Sequence, residues 1–307
     1  MKHLFIVNPV AGGRNQAGEI TQKVSEAFQG RSDQWEVYVT RGPMDAAEQI
    51  RKQAFSCSRL RVYACGGDGT LNECVCGAAF LENTAVCPFP TGTGNDFCRM
   101  FGEEQRLFLD LNALLDGTEH PIDLIDCNGR YCVNICSVGI DARIGGDVHK
   151  YSGLPLIGGS RAYLTSTLVN VFKGINQPMK LRIGDETAAG EHALLCACNG
   201  RYYGGGFNPS RTARPDDGLL EIYVVKKVSL LTLARLIGHY ASGEGENYPK
   251  YIRLFRGDRA DIEFEKDSVI NVDGEIIRAR SVHLELKPGA LRLLVPKGMS
   301  FFRKAEA

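Results

Sequence analysis

Three glycine-bearing segments near the N-terminus have the residue types to hold an anion. They are "NPVAGGR" at 8–14, "GGDGTLNE" at 66–73 and "TGTGNDF" at 91–97. Residues without a Cβ let backbone N–H groups approach a phosphate, and a helix starting there adds a favourable dipole. In the second segment, Thr70 and Glu73 match a capping box, with Thr70 capping the helix and Glu73 reaching back. That pattern leaves Gly66, Gly67, Asp68 and Gly69 unexplained. A carboxylate in an anion-binding loop is unfavourable unless a cation neutralises it, so Asp68 is expected to serve a metal or a charge network. Arg14 offers such a cation, or a phosphate contact; its ordinary reading is an exposed first-turn charge. Thr93 offers a hydroxyl to phosphate or ribose, while Asn95 or Asp96 reads equally as an N-cap. Two acidic turns lie far downstream, Asp216-Asp217-Gly218 and Asp273-Gly274-Glu275. Alone, each reads as a hairpin turn with exposed acids.

The elements that must position these residues alternate over the first 120 residues. "LFIVNP" is an apolar run ending in a turn, and Ala17, Ile20, Val24, Ala27 and Phe28 then recur at helical spacing. "WEVYVT", "RLRVYAC" and "AVCPFP" read as further strands, with a helix over "DAAEQIRKQA". This β-α-β-α order predicts a parallel sheet covered by helices, with ligands in the loops beyond the strands' carboxyl ends. The N-P turn, Thr40, the GGDGT loop and the TGTG loop all fall at such ends, so they are expected to converge.

After about Asp123 strands dominate. "IDLIDCNGRYCVNICSVG" reads as two strands joined by Asn128-Gly129. Later strands are "MKLRIG", "HALLCACNG", "LLEIYVV", "ADIEFE", "SVINVDG", "SVHLELK" and "ALRLLVP", with helices near "SRAYLTSTLVNVFKG" and "SLLTLARLIGHYASG". The fold class expected is α/β plus β-rich. A parallel-sheet nucleotide-binding domain covers 1–123, and a β-sandwich-like domain for lipid and metal covers 124–289. The last strand, about 290–307, is a candidate to return to the first domain.

Composition narrows the function class. In 307 residues, 44% hydrophobic and 23% charged, 36 Lys+Arg balance 36 Asp+Glu. A net charge near zero gives no global attraction to nucleic acid or to anionic membrane, so any such contact has to come from a local patch, and no nucleic-acid partner is expected. The eleven cysteines include no C-x-x-C pair. They read as small hydrophobes in a reducing cytoplasm rather than as a zinc site or disulfide framework. The N-terminal apolar run is too short for a signal peptide, and no stretch approaches the length of a membrane span.

Taken together, GGDGTLNE, the upstream NP-x-AG and the downstream TGTGNDF resemble the diacylglycerol kinase catalytic-domain family in its soluble bacterial lipid-kinase form. The resemblance extends over nearly the whole chain. "NGRYYGGGFNPSRTARPDDGLLEI" is similar to the family's segment ending in (D/N)DG-x-L, and "NVDGE" at 271–275 to its DGE motif. The resemblance implies ATP- and magnesium-dependent phosphorylation of a lipid hydroxyl, with diacylglycerol converted to phosphatidic acid as the leading case. Nucleotide contacts carry over to Asn8, Arg14, Thr40, Gly66, Gly67, Asp68, Gly69, Thr70, Leu71, Asn72 and Thr93. Glu275 carries over as general base, with Asp68 as a second catalytic residue acting through a charge network. A structural magnesium carries over to Asp217 and the backbone carbonyls of Arg214 and Leu219. One departure concerns the first loop: many bacterial members place a lysine where Gly13 or Arg14 stands, and Arg14 keeps the charge but not the ammonium geometry.

The expected location is cytoplasmic, peripheral to the inner face of the membrane, where the lipid lies; the oligomeric state, a homodimer included, stays open. Lys226, Lys227, Arg235, Lys250, Arg253 and Arg256 flank an apolar helix with Leu230, Leu233 and Leu236. The favoured reading is an ordinary core face with a solvated basic face; the functional one is a membrane-docking surface. The apolar, glycine-rich stretch 149–163 is a second candidate, as the border of an acyl-chain cleft. Among enzymes the rival is a NAD kinase, although NAD kinases carry their Asn-Glu pair in a later segment. Outside enzymes it is a catalytically silent nucleotide- or lipid-binding regulator.

Overall fold

The computed structural model describes residues 1–13, 15–152 and 174–303. Arg14, most of 149–163 and nearly all of "SRAYLTSTLVNVFKG" lie outside the described residues. The chain divides into two compact units, Met1–Leu124 with Pro288–Ala307, and Ile125–Lys287.

The first unit is built on parallel strands. β1 (Lys2–Val7) pairs with β2 (Gln34–Val39) on one side and with β3 (Leu60–Gly66) on the other; β3 pairs with β4 (Thr84–Pro90). β1, β3 and β4 are buried almost throughout, as parallel strands covered on both faces must be, which is why they read as unbroken apolar runs. β2 is the edge and is only half-buried. α1 (Ala17–Ala27) buries Ile20 and Val24, α2 (Asp45–Ser56) buries Ala46, Ala47, Ile50 and Ala54, and α3 (Asp68–Ala78) buries Leu71, Cys74, Val75 and Ala78. Two short helices, α4 (Asp96–Arg99) and α5 (Leu111–Leu115), follow. Strand order reverses at β1, so the loops after β1 and β3 leave the sheet on either side of a switch point, where open α/β sheets bind ligands.

The chain passes between units in two strands, β5 (Thr118–Cys127) and β13 (Glu275–Val295). Two separate strands were expected where β13 runs continuously through Lys287-Pro288-Gly289. Gly289 takes a left-handed φ of 62°, and its N–H donates to Asp123 Oδ1 at 2.8 Å, so the apparent turn signal is absorbed inside a strand. Beyond it, Arg292 and Leu293 pair in parallel with Ala85 and Val86 of β4.

The second unit is antiparallel: β11 (Ile252–Gly257), β10 (Leu220–Lys226), β9 (Glu186–Cys198), β7 (Ile135–Gly139), β12 (Arg259–Val272) and β13 lie in that order, and β8 (Gln177–Ile183) pairs with β9 and β12. Its inner faces pack Ile125, Val138, Leu195, Ile222, Ile262 and Ile270 into one core. Asn128 and Gly129, with φ of 52° and 83°, form the expected tight turn between β5 and β6 (Arg130–Cys132). The predicted single strand after that turn is broken at Val133 and Asn134, whose N–H groups bond to Asp273 instead of to a ladder. β11 escaped the sequence reading because "IRLFRG" interleaves arginines on a half-exposed edge. α6 (Ile140–Ser152) and α7 (Leu230–Ala241) complete the unit. No helix among the described residues is long and apolar enough to cross a membrane. All eleven cysteines are free thiols and nine are buried; burial pushes Cys65, Cys74, Cys87 and Cys98 up, as for inert core thiols.

Candidate active site

Within the first unit the three glycine loops meet. Thr91 and Gly92 both donate N–H groups to the Gly66 carbonyl, at 3.0 and 3.1 Å. Gly92 is required by this approach, because a Cβ there would stand 2.4 Å from Gly67 Cα. The first loop joins through Asn8, whose N–H donates to the Cys65 carbonyl at 3.2 Å and whose Nδ2 donates to Thr70 Oγ1 at 3.2 Å. Gln16 Nε2 reaches the Thr91 carbonyl at 3.5 Å. Thr40 hangs from the end of β1, with its N–H on the Val7 carbonyl at 3.0 Å. Asn8, Thr40, Thr70 and Glu73 share the wall of a cleft of about 290 Å³. Thr93 and Gly69 are exposed, so both are accessible to a ligand.

The capping box is not formed. Gly67 is the N-cap of α3, with extended backbone and no side-chain cap, and the helix begins at Asp68, earlier than the sequence pattern indicates. The Leu71 N–H bonds back to the Gly67 carbonyl at 3.1 Å. Thr70 therefore lies inside the first turn, buried, with its hydroxyl held by Asn8 rather than capping. A helix starting at the glycines brings its free N–H groups to the loop itself, the arrangement that favours an anion. Leu71 and Asn72, the next residues of the helix, are buried as well.

Asp68 projects toward the third loop. Its Oδ1 accepts from the Phe97 N–H at 3.4 Å, and a Cβ on Gly94 would meet its Oδ2 at 2.7 Å. Asn95 occupies the N-cap of α4 with a left-handed φ of 51°, but its side chain donates to the Gly92 carbonyl at 2.8 Å and does not cap. Asp96, buried, pairs with Arg99 Nε at 3.1 Å.

In the second unit, the acids of the DGE turn separate in role. Val272 pairs with Glu275 across a two-residue turn in which Asp273 and Gly274 both have positive φ, 51° and 96°. The expectation of two exposed acids fails for Asp273. Its Oδ2 accepts from Val133 N at 2.7 Å, and its Oδ1 from Asn134 N and Ile135 N, each at 3.0 Å. Glu275, one residue beyond the turn, is exposed. The turn is thus clamped by one carboxylate and presents the other.

The loop before β10 carries the expected metal ligands. Asp217 is exposed, and its Oδ1 accepts from the Leu219 N–H at 3.0 Å around Gly218, whose φ is 73°. The Arg214 side chain is turned to Asp216, with contacts of 3.0 and 3.1 Å, so any ligand it supplies is its carbonyl. One carboxylate with backbone carbonyls is a hard oxygen set that fits magnesium or calcium. No cluster of three or more His, Cys, Asp or Glu suited to a metal occurs among the described residues. The sequence reading missed Glu221, which anchors this loop. Buried beneath it, Glu221 accepts from the Ser210 hydroxyl, from Thr212 Oγ1 at 2.8 Å, and from Arg256 at 3.0 and 3.1 Å. Burial raises its pKa, but these hydrogen bonds outweigh burial and hold the carboxyl below the usual range. A lone acid interrupting "LLEIYVV" was the available signal.

Comparison with known proteins gives the family and the fold. Residues 2–127 match the family described as "Diacylglycerol kinase catalytic domain", and residues 134–295 match the "YegS C-terminal NAD kinase beta sandwich-like domain". The chain is 31% identical over 261 residues to "Probable lipid kinase YegS-like" of Pseudomonas aeruginosa, covering 84% of each. It is 29% identical over 304 residues to the protein of the same description in Stenotrophomonas maltophilia, covering 94% of this chain and 96% of the other. In fold it is similar to a crystal structure of a diacylglycerol kinase from Bacillus anthracis str. Sterne, with a TM-score of 0.70 at 23% identity over 97% of this chain and 98% of that one. The chain carries both halves of this architecture, and it belongs to the diacylglycerol kinase catalytic-domain family, as a kinase with a YegS-type C-terminal domain.

Proposed function

We propose that the protein transfers the γ-phosphoryl group of ATP to the hydroxyl of a lipid, with diacylglycerol as the leading acceptor and phosphatidic acid as product. The observation that carries this reading is the junction of three backbone loops at the switch point of the first unit, with Gly69 and Thr93 exposed on them. Phosphoryl transfer asks mainly for positioning and for neutralisation of the phosphates, and a cradle of this kind supplies the first. Asn8, Thr40, Gly66, Gly67, Gly69 and Thr93 are assigned to ATP. Thr70, Leu71 and Asn72 hold the loop. Asp68 organises the third loop through the Phe97 N–H. Arg14, outside the described residues, is assigned to the phosphates on charge alone.

Glu275 is assigned as the general base. An exposed carboxylate on a turn clamped by Asp273 can accept a proton from a lipid alcohol without distorting the strand beneath it. Asp217, with the carbonyls of Arg214 and Leu219, is assigned to a magnesium ion, which when bound rigidifies the Ser210–Leu220 loop. A membrane surface is assigned as the source of the acceptor, in a cytoplasmic and peripheral setting.

The test is a panel of lipid alcohols with labelled ATP and magnesium, read by product separation, with NAD as a control acceptor. Label is expected in phosphatidic acid, and Glu275→Gln or Asp68→Ala should abolish it. Label in NAD instead of lipid, or unchanged turnover in both variants, would sink the reading.

A further inference from the structure

α7 was expected to show an ordinary core face and a solvated basic face, and it does not. Its buried side is apolar: Leu236 and Tyr240, with Leu233 partly covered, pack into the core of the second unit. The opposite side is apolar as well. Leu230 is 52%, Leu231 64% and Ile237 39% exposed, and Ala234 and Gly238 lie exposed between them. At 100° per residue these five positions form one continuous sector roughly 120° wide, with Arg235 on its border. A surface helix of a globular protein puts charged and polar residues there. Single exposed leucines need no explanation, but a contiguous stripe of this kind marks an interaction surface.

The charge around the stripe selects the partner. Lys226 and Lys227 precede the helix, Arg235 rims it, and residues 226–243 contain no Asp or Glu. Lys227 is held by Glu191, whereas Lys226 and Arg235 make no ion pair among the described residues. The helix is firmly seated from below, with Ser229 Oγ capping its start through the Thr232 N–H at 3.2 Å, so the exposed side chains are presented by a rigid support. The acids nearby are already engaged, Glu191 by Lys227 and Glu244 by His239 and Arg211. Apolar residues rimmed by the unpaired Lys226 and Arg235 match the interface of an anionic bilayer, where the apolar side chains enter the acyl boundary and the cations meet headgroup phosphates.

We propose that this outer face of α7, with Leu230, Leu231, Ala234 and Ile237 as its apolar stripe and Lys226 and Arg235 as its cationic rim, docks on an anionic lipid bilayer. The purpose of such docking rests on the lipid-acceptor reading, but the binding itself is measured without nucleotide or turnover. The full chain is sedimented with vesicles of phosphatidylcholine containing phosphatidylglycerol, and with phosphatidylcholine alone. The wild type should partition to the anionic vesicles, and less so as salt is raised. Leu231→Gln with Ile237→Gln should weaken partition about tenfold or more, the loss expected for two apolar side chains that no longer enter the boundary. Arg235→Glu should weaken it on anionic vesicles only. All these positions are exposed, so Tm and turnover on a water-dispersed short-chain acceptor should stay at wild-type values. Vesicle partition that survives the double substitution overturns the proposal. Conversion of a dimer to a monomer by the same substitution, with partition intact, also overturns it and assigns the face to a second copy of the chain. Stripe-dependent partition in a protein that phosphorylates no lipid supports the docking and sinks the acceptor reading instead.

Discussion

Asn8 Nδ2 donates to Thr70 Oγ1 across 3.2 Å, tying the turn after β1 to the first turn of α3. The bond joins two of the three glycine loops from opposite sides of the switch point. It also explains Thr70 in a way that helix capping does not. Thr70→Val should therefore raise the KM for ATP and cost about 1 kcal/mol of stability, the worth of a part-buried hydrogen bond. Thr70→Ser should retain both. Glu73→Ala, which would cost a similar amount in a capping box, should stay within about 0.5 kcal/mol of wild type in denaturant titration.

The second loop accepts the third because Gly92 has no side chain. Gly92→Ala should force a Cβ to within 2.4 Å of Gly67 Cα and push the loops apart. A destabilisation of about 1–3 kcal/mol is expected, as for overpacking elsewhere. Nucleotide affinity, measured by calorimetry on the folded variant, should fall further than stability predicts. Normal ATP affinity in Gly92→Ala would show that the close approach is not part of the binding site.

The two acids of the DGE turn should separate by experiment. Asp273→Ala strands three N–H groups, so it should lower stability by about 3 kcal/mol or more. Glu275→Gln should leave Tm unchanged and reduce kcat by about 100-fold or more, the range for loss of a general base. A stable but inactive Asp273→Ala variant, paired with an active Glu275→Gln, would reverse the assignment.

Acid sensitivity should begin in the first unit at His3. The ring is buried, with Nδ1 2.8 Å from Tyr63 OH and Phe28 edge-on to it. Burial, reinforced by the Arg61 charge, lowers its pKa from 6.5 to about 4. Between those values the unfolded chain binds the extra proton and the folded chain does not. Stability is thus complete above pH 6.5 and falls as the pH drops toward 4, by up to about 3 kcal/mol. Thermal melts across that window should show the slope in wild type, and His3→Asn should flatten it.

The α/β character of the first unit was legible because β1, β3 and β4 are buried on both faces and so read as unbroken apolar runs. The helices between them followed from spacing. What failed was local chemistry with more than one outlet. Thr70 and Glu73 fit a capping box, yet the glycines ahead of them allow the helix to start earlier, and the Asn8 side chain then competes for the hydroxyl. Lys287-Pro288-Gly289 fits a turn, but Asp123 supplies a partner for Gly289 and the strand continues. Asp273 fits an exposed turn acid, but the N–H groups of Val133, Asn134 and Ile135 need an acceptor. In each case the deciding partner is far away in sequence.

The sequence by itself determined the alternation of strands and helices from β1 to β4, the three glycine loops and the family they belong to, because these depend on residue type and short spacing. Only the tertiary structure decided that Gly67 begins α3, that Asp273 clamps while Glu275 is presented, that Glu221 anchors the Asp217 loop, and that α7 is apolar on its outer face. Those outcomes depend on which polar group is left without water and what distant atom reaches it. Spacing along the chain carries no record of that.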